Sequence, residues 1–267
     1  MKQWDMKVAE NWHVFLPPAR PSISELAIYE RIIMRLVRKK KDLKIATLGS
    51  TPEFRDLCQT CCVDYRCIDY SRENFLSLGK YMIHPDGEER LIVSDWRNMS
   101  FAGNFDLFIG DLVTTVTPVA DHAIIFKNIK KHCKEGALVI LKTPLRPDDN
   151  RLSHEEIFSV YRKKLSHINP FTAVWHEVLL SDYDFHKDSM NCMNSKMKLE
   201  ESFKKGIITE YEFGEFRKRW DVLGNFNMNI PRKDKFIRDA GRFFKIQQIT
   251  SGHDCYRKWA PILIFKN

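Results

Sequence analysis

The sequence predicts an α/β fold, a mostly parallel sheet with helices on both faces. Three observations carry this. Apolar strand-like runs and helix-like stretches alternate from residue 45 to residue 142. Runs such as Ala137-Leu-Val-Ile-Leu141 are apolar throughout, as strands covered on both faces are. The stretch Lys44-Ile-Ala-Thr-Leu-Gly-Ser-Thr-Pro-Glu-Phe-Arg55 passes from an aliphatic strand through a turn at Gly49 into a helix start, and Asp69 closes the next apolar run twenty positions after Gly49. That spacing is how the first βαβ unit of a nucleotide-binding sheet reads.

Each element follows from local signals. Residues 1–21 read as an irregular arm with Trp4, Trp12 and Phe15, and the prolines of Leu16-Pro-Pro-Ala-Arg-Pro21 oppose helix. Ser22-Ile-Ser-Glu25 is a capping box, and the helix behind it shows a broad apolar face from Leu26 to Val37. Strand one is 45–48. Thr51 is the N-cap and Pro52 the N1 residue of a helix over 52–62. Strand two (65–69), a helix (72–82), strand three (90–95), strand four (105–110), a helix (119–133) and strand five (137–142) follow. Thr143-Pro-Leu-Arg-Pro147 breaks the rhythm. A second capping box, Ser153-His-Glu-Glu156, opens a helix to about residue 167, and 168–230 is mainly helical and aromatic, with Thr209-Glu-Tyr-Glu212 as a third box. A loop (225–231), an amphipathic helix (233–243) and strands at 245–250 and 260–265 complete the chain. The organisation expected is an arm and first helix (1–41), an α/β core (42–145), a helical insertion (146–231) and a return to the core (232–267).

Length and composition suit one large domain with an elaboration: 267 residues, 43% hydrophobic and 29% charged. No apolar run approaches the ~20 residues of a membrane span. The start, Met1-Lys-Gln-Trp-Asp-Met-Lys7, lacks the apolar core of a signal peptide, so a cytoplasmic location is expected. The seven cysteines are odd in number. Cys58 and Cys61 form a lone C-x-x-C followed by Cys62, without a second ligand pair, so they read as packing residues and no metal site is expected. A net charge of +8 permits an anionic partner. The basic run Arg38-Lys-Lys-Lys41 ends a helix, where the dipole favours cations, and no nucleic-acid module is recognisable.

The turn after strand one has a single glycine and no lysine, which opposes triphosphate binding. Glu53 would repel a pyrophosphate. S-adenosylmethionine (SAM), with no phosphate and a sulfonium cation, suits the residues better. Gly49, Ser50, Thr51, Pro52 and Glu53 form the turn that would face it, and the free N–H groups at the helix start suit its carboxylate. Asp69, followed by Tyr70 and Ser71, would accept from the ribose hydroxyls, or simply cap the next helix. Asp95 would accept from the adenine amino group, with Trp96 beside the ring, or else is a turn residue.

These residues resemble the class I SAM-dependent methyltransferases over about 42–145 and 232–267. Leu48-Gly-Ser-Thr-Pro-Glu-Phe-Arg-Asp-Leu57 resembles a variant first motif, L-G-x-T-P-E. Ile68-Asp-Tyr-Ser71, Ser94-Asp-Trp-Arg97, Phe105-Asp-Leu-Phe-Ile-Gly-Asp-Leu112 and Gly136-Ala-Leu-Val-Ile-Leu141 resemble the later motifs in order. The resemblance implies a Rossmann-like seven-stranded sheet ending in an antiparallel hairpin, with SAM as cofactor and S-adenosylhomocysteine (SAH) as product. Pro17-Pro-Ala-Arg-Pro-Ser22 is similar to a stretch that lies against the cofactor in that branch, and Arg20 or Arg55 would take the SAM carboxylate.

On the acceptor side, Asp111 directly follows strand four and is the leading candidate for both catalysis and cofactor contact. Gly110-Asp-Leu-Val-Thr-Thr115 is not the Asn/Asp-Pro-Pro-Tyr of methyltransferases acting on exocyclic base or amide nitrogens. His122 and His186 are candidate bases, each with a surface reading as its alternative. Trp175, His176 and Tyr183 of the insertion are candidate acceptor contacts, while its aromatics equally supply the core it needs to fold. The function expected is in-line methyl transfer to a small molecule or short peptide under a helical lid. An RNA or protein methyltransferase, and a non-catalytic SAM-binding regulatory subunit, are the alternatives.

Overall fold

The computed structural model describes residues 6–149 and 151–267, so Trp4 lies outside the described residues. After a short helix α1 (Met6–Glu10), helix α2 (Ile23–Val37) starts at the expected box: the Ser22 hydroxyl accepts from the Glu25 N–H and the Glu25 carboxylate accepts from the Ser22 N–H. Then come β1 (Lys44–Leu48), α3 (Pro52–Thr60), β2 (Asp64–Asp69), α4 (Arg72–Gly79), β3 (Leu91–Val93), β4 (Phe105–Asp111), α5 (His122–Lys131) and β5 (Cys133–Lys142). The insertion holds α6 (His154–Lys164), α7 (Pro170–Ser181), β6 (Met190–Asn191), α8 (Cys192–Lys204), α9 (Glu210–Leu223) and β7 (Asn227–Met228). Helix α10 (Lys233–Gly241) and strands β8 (Lys245–Thr250) and β9 (Ile262–Lys266) end the chain.

The main sheet has seven strands in the order β3-β2-β1-β4-β5-β9-β8. The first five are parallel; β9 runs antiparallel between β5 and β8. This is the expected mostly parallel sheet with its terminal antiparallel hairpin. The central strands β1, β4 and β5 are buried along most of their length, which is why they read as unbroken apolar runs. The chain runs outward from β1 to β2 and β3, then crosses back from β3 to β4 on the other side of β1, so the carboxyl ends of β1 and β4 flank a topological switch point.

Two apolar layers sandwich the sheet. One packs α2 and α3 through Tyr29, Ile33 and Phe54; the other packs α5 and α10 through Phe126, Ile129 and Phe236. A third cluster belongs to the insertion: Phe171, Trp175, Phe216 and Trp220 pack with Val8, Trp12 and Phe15 of the arm. Arm and insertion thus share one core, although the sequence separates them by more than a hundred residues. The insertion leaves and re-enters at one point, where Arg146 bridges Arg232 and the Arg146 N–H donates to the Pro231 carbonyl. Both remaining capping boxes form, at Ser153 and Thr209. Thr51 occupies the N-cap position of α3 with Pro52 at N1, but its side chain makes no capping bond. The expected loop at 225–231 contains β7, paired with β6.

Gly110, in β4, has no room for a side chain: a Cβ there would lie 2.7 Å from Val113 Cγ2 and 3.0 Å from Leu141 Cδ2. Gly110→Ala is therefore expected to lower stability by about 1–3 kcal/mol through overpacking, read from urea denaturation midpoints. His176 is fully buried and burial pushes its pKa down to about 4. Its neutral form is stable in the fold above the ordinary histidine pKa, and that stability is lost as pH falls from about 6.5 toward 4, about 3 kcal/mol in all. His176→Gln should flatten this part of the stability–pH curve; an unchanged slope would count against it.

Candidate functional site

A narrow cleft of about 50 Å³ opens at the carboxyl ends of β1, β2 and β4. It is lined by Gly49, Ser50, Thr51, Asp69, Tyr70 and Asp111 of the expected set, with Trp96 beside them and Leu48, Asn74, Leu78 and Val116 completing the wall. Among the described residues its two charged lining residues are both carboxylates, and no lysine or arginine lines it.

Gly49 makes the turn. Its φ of +94° is a conformation that favours glycine, its N–H donates to the Ile68 carbonyl, and a Cβ would lie 3.5 Å from the Trp96 ring. The Ser50 hydroxyl donates to Asp69 Oδ2 at 2.7 Å, and Asp69 Oδ1 accepts the Ser71 N–H at 3.1 Å. Burial raises the Asp69 pKa, while the Ser50 hydroxyl and the Ser71 amide act in the opposite direction. Ser71 in turn caps α4, its hydroxyl accepting from the Asn74 N–H. The Trp96 indole N–H donates to the Ile68 carbonyl at 2.7 Å, which fixes the ring beside Gly49. Asp95 is turned elsewhere: it caps its own turn and pairs with Arg97, which holds its carboxyl below the usual range.

Asp111 ends β4 and its carboxylate lies 2.9 Å from Lys142 Nζ at the end of β5. The Lys142 ammonium is buried. It also donates to Glu25 Oε2 at 3.0 Å, the Pro18 carbonyl at 3.0 Å and the Arg20 carbonyl at 3.2 Å. Burial opposes its charge, but Asp111 and Glu25 outweigh burial and keep its pKa above the ordinary value. Asp111 itself is pushed up to about 7 by burial, with Lys142 acting against the shift. Pro52 and Glu53 do not line the cleft; Glu53 Oε1 accepts the Arg20 Nε–H at 2.6 Å and the Trp12 indole N–H at 3.2 Å. Arg20 thus reaches the site region already paired. Arg55 is buried against Asp86 and the Phe75 carbonyl and does not line the cleft.

The acceptor-side candidates stand apart from the cleft. His122 is buried, with Nε2 near the Thr114 and Thr117 carbonyls, and it fixes the loop after β4. Trp175 belongs to the insertion core. His176 stacks on Trp259 with ring centroids 4.9 Å apart and bonds the Leu145 carbonyl. The Tyr183 hydroxyl donates to Asp188 and accepts the Ile230 N–H. Tyr183 and His186 line a separate open groove of about 610 Å³ with Asn191, Asn227 and Lys198. Sequence reading missed Lys142 and took Glu25 only as a capping residue. The available signal was a lysine ending an otherwise apolar strand.

Among the described residues no group of three or more His, Cys, Asp or Glu is arranged to hold a metal ion, and no helix is long and apolar enough to cross a membrane. No family model and no curated protein matches the sequence. Solved structures share the fold. The N-methyltransferase NodS from Bradyrhizobium japonicum WM9, in complex with SAH, is 9% identical with a TM-score of 0.50, over 98% of each chain. A SAM-dependent methyltransferase from Clostridium acetobutylicum is 14% identical with a TM-score of 0.51, over 90% of this chain and 91% of the other. A chain described as a putative zinc-dependent alcohol dehydrogenase from Rhodobacter sphaeroides is 13% identical with a TM-score of 0.52, over 98% and 97%. At these identities the likeness is one of fold, and the fold is the Rossmann-like sheet on which those methyltransferases are built.

Proposed function

We propose that this chain is a SAM-dependent methyltransferase acting on a small molecule or short peptide. One observation carries the reading: in a chain of net charge +8, the cleft at the switch point is lined, among the described residues, by two buried carboxylates and by no basic side chain. Such a set of acceptors disfavours a phosphate and suits hydroxyls and a sulfonium cation. Asp69, held by Ser50 and Ser71, would accept from the ribose hydroxyls. Tyr70 and Trp96 offer ring faces to the adenine. The α3 start and Arg20, the latter after exchanging Glu53, offer donors for the carboxylate. When bound, the cofactor would supply an electrophilic methyl group. The chain's own contribution is to orient the acceptor, exclude water and keep Asp111 facing the reacting end.

The cleft is small beside the ~300–1,000 Å³ of ordinary ligand pockets. Rotation of Tyr70, an exposed ring of its lining, would widen it. The same narrowness favours the second reading, a SAM-binding subunit without turnover. Closed-cleft binding of SAH together with no transfer to any acceptor would support that subunit.

Asp69→Ala should weaken SAM and SAH alike by about thirtyfold or more, the loss of a charge-assisted hydrogen-bond pair, in isothermal titration calorimetry. Absence of SAM binding to the folded wild-type chain would overturn the cofactor assignment.

A further inference from the structure

Resting on the proposed SAM site, we infer that the buried cluster of Glu25, Lys142 and Asp111 is a charge filter, which holds the cationic cofactor and releases its neutral product. The geometry carries this. Asp111 is the member of the cluster that lines the cleft. Lys142 Nζ touches both carboxylates, 2.9 Å from Asp111 and 3.0 Å from Glu25. Its three protons go to Glu25 Oε2 and the Pro18 and Arg20 carbonyls, so it has no further proton to aim at the cleft. Two carboxylates share one ammonium, so with Asp111 ionised the cluster is one negative charge in excess. That excess lies in a buried place where water screens it weakly.

SAM carries a sulfonium, and after methyl loss SAH carries a neutral thioether. The adenosine and amino-acid portions are otherwise the same. A group that contacts only those shared portions binds both forms alike. An uncompensated carboxylate on the sulfonium side distinguishes them, favouring SAM before transfer and ceasing to hold the product afterwards.

The other titratable and charged groups around Asp111 leave this charge in place. From α2, Glu25 is in the cluster, and Tyr29, whose pKa is raised by burial and by Asp111, stays a neutral phenol that donates to the Gly110 carbonyl. From α3, Glu53 is paired with Arg20. From β2, Asp69 is bonded by Ser50 on the opposite wall. Tyr256, between β8 and β9, is likewise raised by burial and by the nearby carboxylates, Glu25 first, and stays neutral. Asp111, raised by burial to about 7, is therefore the member that titrates near neutrality. Below pH 7 it is protonated and the cluster is neutral; above pH 7 it is ionised and the filter is on. Binding of the cation below pH 7 drives the Asp111 carboxyl proton into solvent, whereas SAH leaves it in place.

The test is calorimetric titration of the full chain with SAM and, separately, SAH between pH 5.5 and 8.5, in buffers of different ionisation enthalpy. Expected are an affinity for SAM that rises about tenfold through pH 7, a nearly flat SAH curve, and proton release with SAM alone. Asp111→Asn should remove the rise and lower SAM affinity about tenfold while leaving SAH within about twofold. Parallel SAM and SAH curves in the wild-type chain, or equal loss of both in the variant, would overturn the filter and leave the SAM site standing. The wild-type curves decide this even if the variant does not fold. If the folded wild-type chain binds neither compound, the SAM site itself falls, and the filter with it.

Discussion

The buried ammonium of Lys142 is the contact on which the rest of the arrangement depends. A lysine inside a protein is strongly destabilising unless its charge and its three donors are met. Here the three donors go to Glu25 in the first turn of α2 and to the Pro18 and Arg20 carbonyls of the arm, and Asp111 at the end of β4 pairs with the charge at 2.9 Å. Removing any one leaves part of a buried charge uncompensated. The lysine therefore fixes where the arm crosses the sheet, where α2 begins and how Asp111 is held.

The rest of the site follows from that crossing. Once Pro18 and Arg20 are tied to β5, Arg20 meets Glu53 at the start of α3, and Trp12 reaches the same carboxylate. The residues before them, Val8 to Phe15, are then laid against the insertion, whose aromatics supply the apolar partner. Asn229 pins the loop after β4 from the insertion side through the Thr115 and Thr117 carbonyls. The cleft is thus bounded by segments distant in sequence, and its negative charge arises because Arg20 is paired with Glu53 and Lys142 is shared between Asp111 and Glu25.

Much of the cleft was legible. Gly49, Ser50, Thr51, Asp69, Tyr70, Trp96 and Asp111 meet in one cleft because they sit on strand ends and the turns just beyond, where a parallel sheet brings consecutive βα turns together. Asp95 was less legible: its neighbour Arg97 captures it, a local pairing that strand counting does not reveal. The insertion gave the least. Trp175, His176 and Tyr183 are polar or aromatic residues in a helical stretch, and the same pattern serves a pocket or a core. The structure puts Trp175 and His176 in packed interior, and Tyr183 in a hydrogen-bonded tie to Ile230.

The sequence by itself determined the order of the seven main-sheet strands, the three capping boxes and the acid that ends β2, because each depends on neighbours within a few residues along the chain, whereas α1 in the arm and the β6/β7 pair of the insertion went unread. The parallel sheet and its switch point followed from that order. Only the tertiary structure decided that arm and insertion share a core, that Glu25 is more than a cap, and that Lys142 stands between two carboxylates. Those facts join residues from about thirty to more than two hundred positions apart. They rest on compensating a buried charge and covering apolar surface, and neither requirement leaves a periodic trace in the chain.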